Sequence, residues 1–179
     1  MTNCFPNPRR EGLRWSHALA LVLLCGAVYF FGLNWRSLAS SEGHRVAPAW
    51  EMLAPPPEHT GGWWHITMFG QTYLRKPPGM PWAIAALSSL LGQTEFAARS
   101  VSALATTLSA LAAWWFASRW FGSRHGIVAG LALALMPQLW SPGRSAEIEA
   151  LNNLGTLLAC FAVIDLVLRN ARPPTQPPH

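Results

Sequence analysis

Five stretches of this chain are free of Asp, Glu, Lys and Arg: Trp15 to Trp35, Pro77 to Thr94, Ser100 to Ser118, His125 to Gly143, and Ala150 to Ile164. The first has the length needed to cross a hydrocarbon core of about 30 Å, which takes ~20 apolar helical residues. The pattern therefore predicts transmembrane helices, with polar residues gathered between them. One stretch differs. Pro77, Pro78, Gly79 and Pro81 crowd its start, and the helix left from Trp82 to Leu91 is too short to span. It is predicted to lie at the interface, with Trp82 at headgroup level.

Loop charges arbitrate, because Arg and Lys collect on the cytoplasmic side of membrane proteins. With spans near 16–35, 98–118, 126–142 and 150–168, that side holds Arg9, Arg10, Arg14, Arg119, Arg124, Arg169 and Arg172, with Glu11 as its acid outside the spans. The external side holds Arg36, Arg45, Arg75, Lys76, Arg99 and Arg144, balanced by Glu42, Glu51, Glu58, Glu95, Glu147 and Glu149. A crossing at Pro77 to Thr94 would turn Arg119 and Arg124 outward and erase the bias. The predicted fold is all-α and integral to the membrane, with about four transmembrane helices. Residues 1–14 form a cytoplasmic tail, 15–168 the membrane module, and 169–179 a Pro-rich tail. The external loop 36–97 carries juxtamembrane helices. Within it, Pro55-Pro56-Pro57 ends the first helix, and Phe69-Gly70-Gln71-Thr72-Tyr73 reads as a tight turn. Asp165, near the cytoplasmic end of the last span, is predicted to pair with Arg169 four residues on.

Composition agrees with this arrangement. Of the residues, 51% are hydrophobic and 12% charged, about half the charge of a soluble domain. The net charge of +5 then reports orientation, and no basic run interleaved with stacking aromatics points to nucleic acid. Arg9, Arg10 and Arg14 before an apolar core also fit a signal peptide. That core is too long, and Leu38-Ala39-Ser40 is a poor cleavage site, so an uncleaved anchor is expected. Cys4, Cys25 and Cys160 show neither metal spacing nor a disulfide framework. His44, His59 and His65 lack metal spacing on one helix. Trp15, Trp35, Trp82, Trp120 and Trp140 fall at span or helix ends, as a headgroup belt does. Trp63-Trp64 fits either loop packing or contact with a sugar.

Two external regions collect chemistry. The long loop ends in Tyr73-Leu74-Arg75-Lys76-Pro77-Pro78, two cations at a membrane edge that suit an anionic ligand. The short loop Ser141 to Glu149 offers Arg144 and two acids, with Asn152 and Asn153 three and four residues on.

Four ordered motifs carry a family resemblance: Ser41-Glu42-Gly43-His44-Arg45, Glu51-Met52-Leu53, Gly70-Gln71-Thr72-Tyr73-Leu74-Arg75-Lys76-Pro77-Pro78 with Trp82, and Glu95-Phe96-Ala97-Ala98-Arg99. In this the chain resembles the N-terminal part of membrane glycosyltransferases that use polyprenyl-phosphate sugars, of the protein mannosyltransferase and aminoarabinose-transferase kind. The resemblance implies a GT-C-like module in the cytoplasmic (inner) membrane, N-terminus cytoplasmic and active side external. It implies inverting transfer from a polyprenyl-phosphate sugar to a lipid, glycan or protein acceptor. The family's first acid, its proposed general base, falls on Ser41, which leaves the adjacent Glu42 to take the proton. Glu149 corresponds to the family's second external acid, to meet acceptor, sugar or a divalent metal ion. Lys76, with Arg75, Arg45, Tyr73 and Arg144, would bind the donor. Family members are several-fold longer, so the alternative is a non-catalytic small membrane protein or partner subunit keeping the first module. A small transport subunit would carry its charges inside the spans; here almost all lie in loops.

Overall fold

The computed structural model describes residues 14–55 and 62–170. The two tails' outer residues, Cys4, Pro56-Pro57, Glu58 and His59 lie outside these. Helix α1 (Trp15–Cys25) continues as a π-helical turn, Gly26–Phe30. Then come α2 (Ser40–Leu53), a hairpin of β1 (Thr67–Met68) and β2 (Gln71–Thr72), and α3 (Gly79–Leu91). Helices α4 (Glu95–Phe121), α5 (Ser123–Ala134), α6 (Trp140–Gly143) and α7 (Glu149–Asn170) complete the order, with a 3-10 turn Pro137–Leu139 before α6.

Among the described residues, α4 and α7 are long and apolar enough to cross a membrane. Helix α5 and the segment Pro137–Gly143 make a third if counted together, bent by 52°. Proline removes an N–H where the helix would continue, so the stretch 126–142, predicted as one span, is not one continuous helix: it has the form of a broken span or a re-entrant loop.

The predicted first span, 16–35, stops early as a helix, at Phe30. Carbonyls at and just beyond that end are taken by arginines distant in sequence. Arg144 donates to Val28 O and Phe31 O, and Arg99 to Leu33 O, 2.6 Å away. A helix end needs partners for its last carbonyls, and these cations supply them. Helix α3 begins three residues before the expected Trp82, because Pro81 lies in the first turn, where its missing N–H costs nothing.

Helix α4 is the mast. Thr94 caps it, accepting the Ala97 N–H at 3.1 Å, and Glu95 sits in its first turn. A glycine of α5 lets the two helices approach closely: a Cβ at Gly126 would fall 1.8 Å from Ser118 Oγ and 2.8 Å from the Trp114 carbonyl of α4. Two buried clusters follow this axis. One joins α2, α3 and the start of α4 through Val46, Met52, Met80, Ile84 and Val101. The other joins Cys25, Tyr29 and Leu33 to Ala103, Ala110 and Ala134, with the Tyr29 hydroxyl donating to Ala134 O at 2.8 Å. Helix α7 leans on α4 through stacked Phe116 and Phe161, 4.2 Å apart. At its far end Asp165 meets Arg169 at 2.6 Å, as the i,i+4 spacing predicts, and also Arg119 at 3.5 Å.

Candidate functional site

The polar centre of the molecule is Glu42. As the third residue of α2 it reaches back to the Ala39 N–H at 2.8 Å, half of a capping box. Its carboxylate also accepts from Arg99 Nε and Nη2, both at 2.9 Å, and from the Ala146 N–H at 2.9 Å. Both side chains are buried, 1% and 2% exposed. Burial by itself raises the Glu42 pKa, but the hydrogen bonds from Arg99, Ala39 and Ala146 outweigh it and hold the group at about 2. Arg99 is equally engaged: beyond Glu42 it donates to the carbonyls of Leu33, Arg36 and Ser37, which uses all of its N–H donors. One ion pair thus ties together the end of the first helix, the start of α2, the start of α4 and the loop before α7.

That loop is fixed a second time. Arg45, on α2 one turn after Ser41, donates to the Ser41 carbonyl and pairs with Glu147 at 3.1 Å. Ser102 of α4 donates to the Glu147 carbonyl at 3.1 Å. Arg144 is spent on the carbonyls of Val28 and Phe31. Glu149, the first residue of α7, is exposed, as are Asn152 and Asn153.

The hairpin carries the other cations. Glu51, on the last turn of α2, accepts from Thr67 Oγ1 at 2.8 Å and from the Phe69 N–H. Tyr73 is buried, and its N–H donates to Ile66 O at 2.9 Å, which closes the ladder. Arg75 and Lys76 follow, both exposed. Among the described residues, no hydrogen bond or ion pair engages either side chain or joins it to the Glu42 cluster. Trp82 of α3 donates to Trp63 O at 2.7 Å. The two indoles at 64 and 82 meet edge to face, 6.1 Å apart. Beside them opens an apolar groove of about 410 Å³ lined by Trp63, Trp64, Trp82, Ala83 and Ala86.

The structure therefore brings Glu42, Arg45 and Arg144 into one framework, each with protein partners. It leaves Glu149, Arg75 and Lys76 open. Three residues gain a part that the sequence did not give them: Arg99, Glu147 and Glu51. Arg99 was legible as a cation at the edge of an apolar stretch, a position that demands a partner. Which partner was not. No group of three or more His, Cys, Asp or Glu suited to a metal ion exists among the described residues. Among the described residues a divalent ion would find one or two carboxylates such as Glu149, a ligand set that suits Mg²⁺ when substrate phosphate completes it.

A family model described as dolichyl-phosphate-mannose-protein mannosyltransferase matches residues 75–173. Two curated relatives carry the name undecaprenyl phosphate-alpha-4-amino-4-deoxy-L-arabinose arabinosyl transferase. The one from Aeromonas salmonicida (strain A449) is 32% identical over 143 residues, 79% of this chain and 24% of the relative. The one from Aeromonas hydrophila subsp. hydrophila is 32% identical over 137 residues, 75% of this chain and 24% of the relative. The chain spans about a quarter of the length of these relatives. No solved structure matches it.

Proposed function

The chain belongs to the dolichyl-phosphate-mannose-protein mannosyltransferase family, and from that premise we propose that it engages a polyprenyl-phosphate sugar on the non-cytoplasmic face of the membrane, as the first module of a glycosyltransferase. The observation that carries this is the pair Arg75 and Lys76, exposed and without an ion partner among the described residues, in the segment between β2 and α3. Two such cations stabilise the charge that builds on a departing lipid phosphate through charge-assisted hydrogen bonds. In the transfer, the bond between the anomeric carbon and the phosphate oxygen breaks as the acceptor oxygen bonds to that carbon from the opposite face. The acceptor proton passes to a base, and the phosphate leaves on its lipid.

Of the two carboxylates expected to be catalytic, Glu149 is the open one and takes the acceptor side. Glu42 already accepts four hydrogen bonds; with a pKa held at about 2 it is a weak base. We assign it to positioning the loop that leads to Glu149. Four crossings, with α1 and the broken α5–α6 segment joining α4 and α7, put residues 36–97 outside with the N-terminus in the cytoplasm.

The test is binding of radiolabelled undecaprenyl phosphate to the chain in nanodiscs. Lys76→Ala should weaken it about tenfold or more, as expected for a lost hydrogen bond to a charged group. Unchanged binding refutes the site. The second reading, a non-catalytic partner keeping the first module, is favoured by the engagement of Glu42, the residue expected as general base, in four hydrogen bonds. Sugar transfer by the chain alone would exclude it, and binding without turnover supports it.

A further inference from the structure

The hairpin tip is built against local preference. Phe69 and Gly70 are its two central residues, both with positive φ, 55° and 72°, as a two-residue type I′ turn requires. Asn-Gly is the pair that adopts this turn readily, whereas a bulky residue at positive φ is an outlier that the surroundings must enforce. Here the enforcement is visible. The Glu51 carboxylate accepts the Phe69 N–H and the Thr67 hydroxyl. The strained residue nevertheless gives its ring nothing to pack on: Phe69 is 78% exposed. Along the same hairpin and its flanks Trp64 is 92% and Leu74 86% exposed. Arg75 and Lys76 follow directly, both exposed. The apolar groove beside Trp63 and Trp82 continues this surface onto α3.

An exposed apolar tip beside two exposed cations matches one kind of partner, a bilayer surface carrying anionic headgroups. We propose that the β1–β2 hairpin is a membrane-docking wedge: Phe69, Trp64 and Leu74 enter the headgroup layer of anionic glycerophospholipids while Arg75 and Lys76, when no polyprenyl-phosphate donor occupies them, pair with the headgroup phosphates. This holds whether or not the chain binds a polyprenyl-phosphate sugar, since it concerns bulk lipid. The strain at Phe69 then has a reason, because Asn would make a better turn but a poorer wedge. Two cations near an anionic surface favour docking about thirtyfold.

The test uses the full chain with Cys4→Ser, Cys25→Ala and Cys160→Ser, and a nitroxide on Gln71→Cys beside the tip. It is placed in nanodiscs of phosphatidylcholine alone or mixed with phosphatidylglycerol, free of polyprenyl phosphate. Relative collision rates with oxygen and with a water-soluble nickel chelate report depth. With phosphatidylglycerol present, chelate access should fall about tenfold or more relative to phosphatidylcholine alone. Phe69→Asn should return it to the aqueous value while leaving the hairpin amides at least as well protected from exchange. Phe69→Leu, strained but apolar, should keep the depth. Equal chelate access in both lipids, or burial that persists in Phe69→Asn, overturns the proposal, the second by pointing to a protein neighbour. Loss of depth in Phe69→Leu also overturns it, by making the turn's fold rather than its apolarity decisive. Undecaprenyl phosphate binding, measured on the same variants, tells failure of this proposal from failure of the donor site: the wedge fails on depth alone, the donor site on binding alone.

Discussion

Replacing Arg99 by Gln removes the cation that four segments share. The Glu42 carboxylate, 1% exposed, is then left buried without a counter-charge, and the carbonyls of Leu33, Arg36 and Ser37 lose their donor. Breaking one side of a buried pair costs about 3–5 kcal/mol. The lowered Glu42 pKa, about 2 against 4.5, agrees in sign: Arg99, with the Ala39 and Ala146 N–H groups, favours the charged carboxylate despite its burial. That stabilisation is fully present above the unfolded pKa of 4.5 and is lost as the pH falls toward 2. The assay is thermal unfolding in detergent, followed by a thiol-reactive fluorophore at Cys25, which is buried, with Cys4 and Cys160 replaced by Ser. Near neutral pH, Arg99→Gln should lower the midpoint by about 10 °C, taking roughly 2–4 °C per kcal/mol. The apolar pair Arg99→Met with Glu42→Leu should recover much of the loss, since no charge is then stranded. A midpoint for Arg99→Gln within about 2 °C of the parent, the shift of less than 1 kcal/mol, refutes the hub.

Three further outcomes follow from the same geometry. Gly126→Ala places a methyl 2.8 Å from the Trp114 carbonyl and should destabilise by about 1–3 kcal/mol through overpacking, read in the same thermal assay; no shift would mean that α4 and α5 are not in close contact. Glu51→Gln weakens the hold on the Phe69 N–H and should speed amide exchange at that turn about tenfold, as a loss of ~1.4 kcal/mol does; unchanged exchange would place the turn's stability elsewhere. Lys76→Ala should leave the unfolding midpoint within about 0.5 kcal/mol of the parent while donor binding falls, because its side chain has no hydrogen-bond or ion-pair partner among the described residues; a large drop in stability would return Lys76 to a structural part.

The order of helices was legible because long charge-free stretches have few ways to bury themselves, and the i,i+4 pair of Asp165 and Arg169 because its geometry is local. The turn at Phe69-Gly70 was legible from its glycine. What the sequence alone determined was thus local: apolar length, turn chemistry and the family signature along the external loop. The tertiary structure decided which charges are spent and which are free. Glu42 and Arg99 stand 57 residues apart, and Arg144 reaches a carbonyl 116 residues back. No local spacing encodes such partnerships, because they depend on the register in which α2, α4 and the loop before α7 pack. The same packing ended the first helix at Phe30, since carbonyls that a continuing helix would have used are satisfied instead by arginines from elsewhere in the fold.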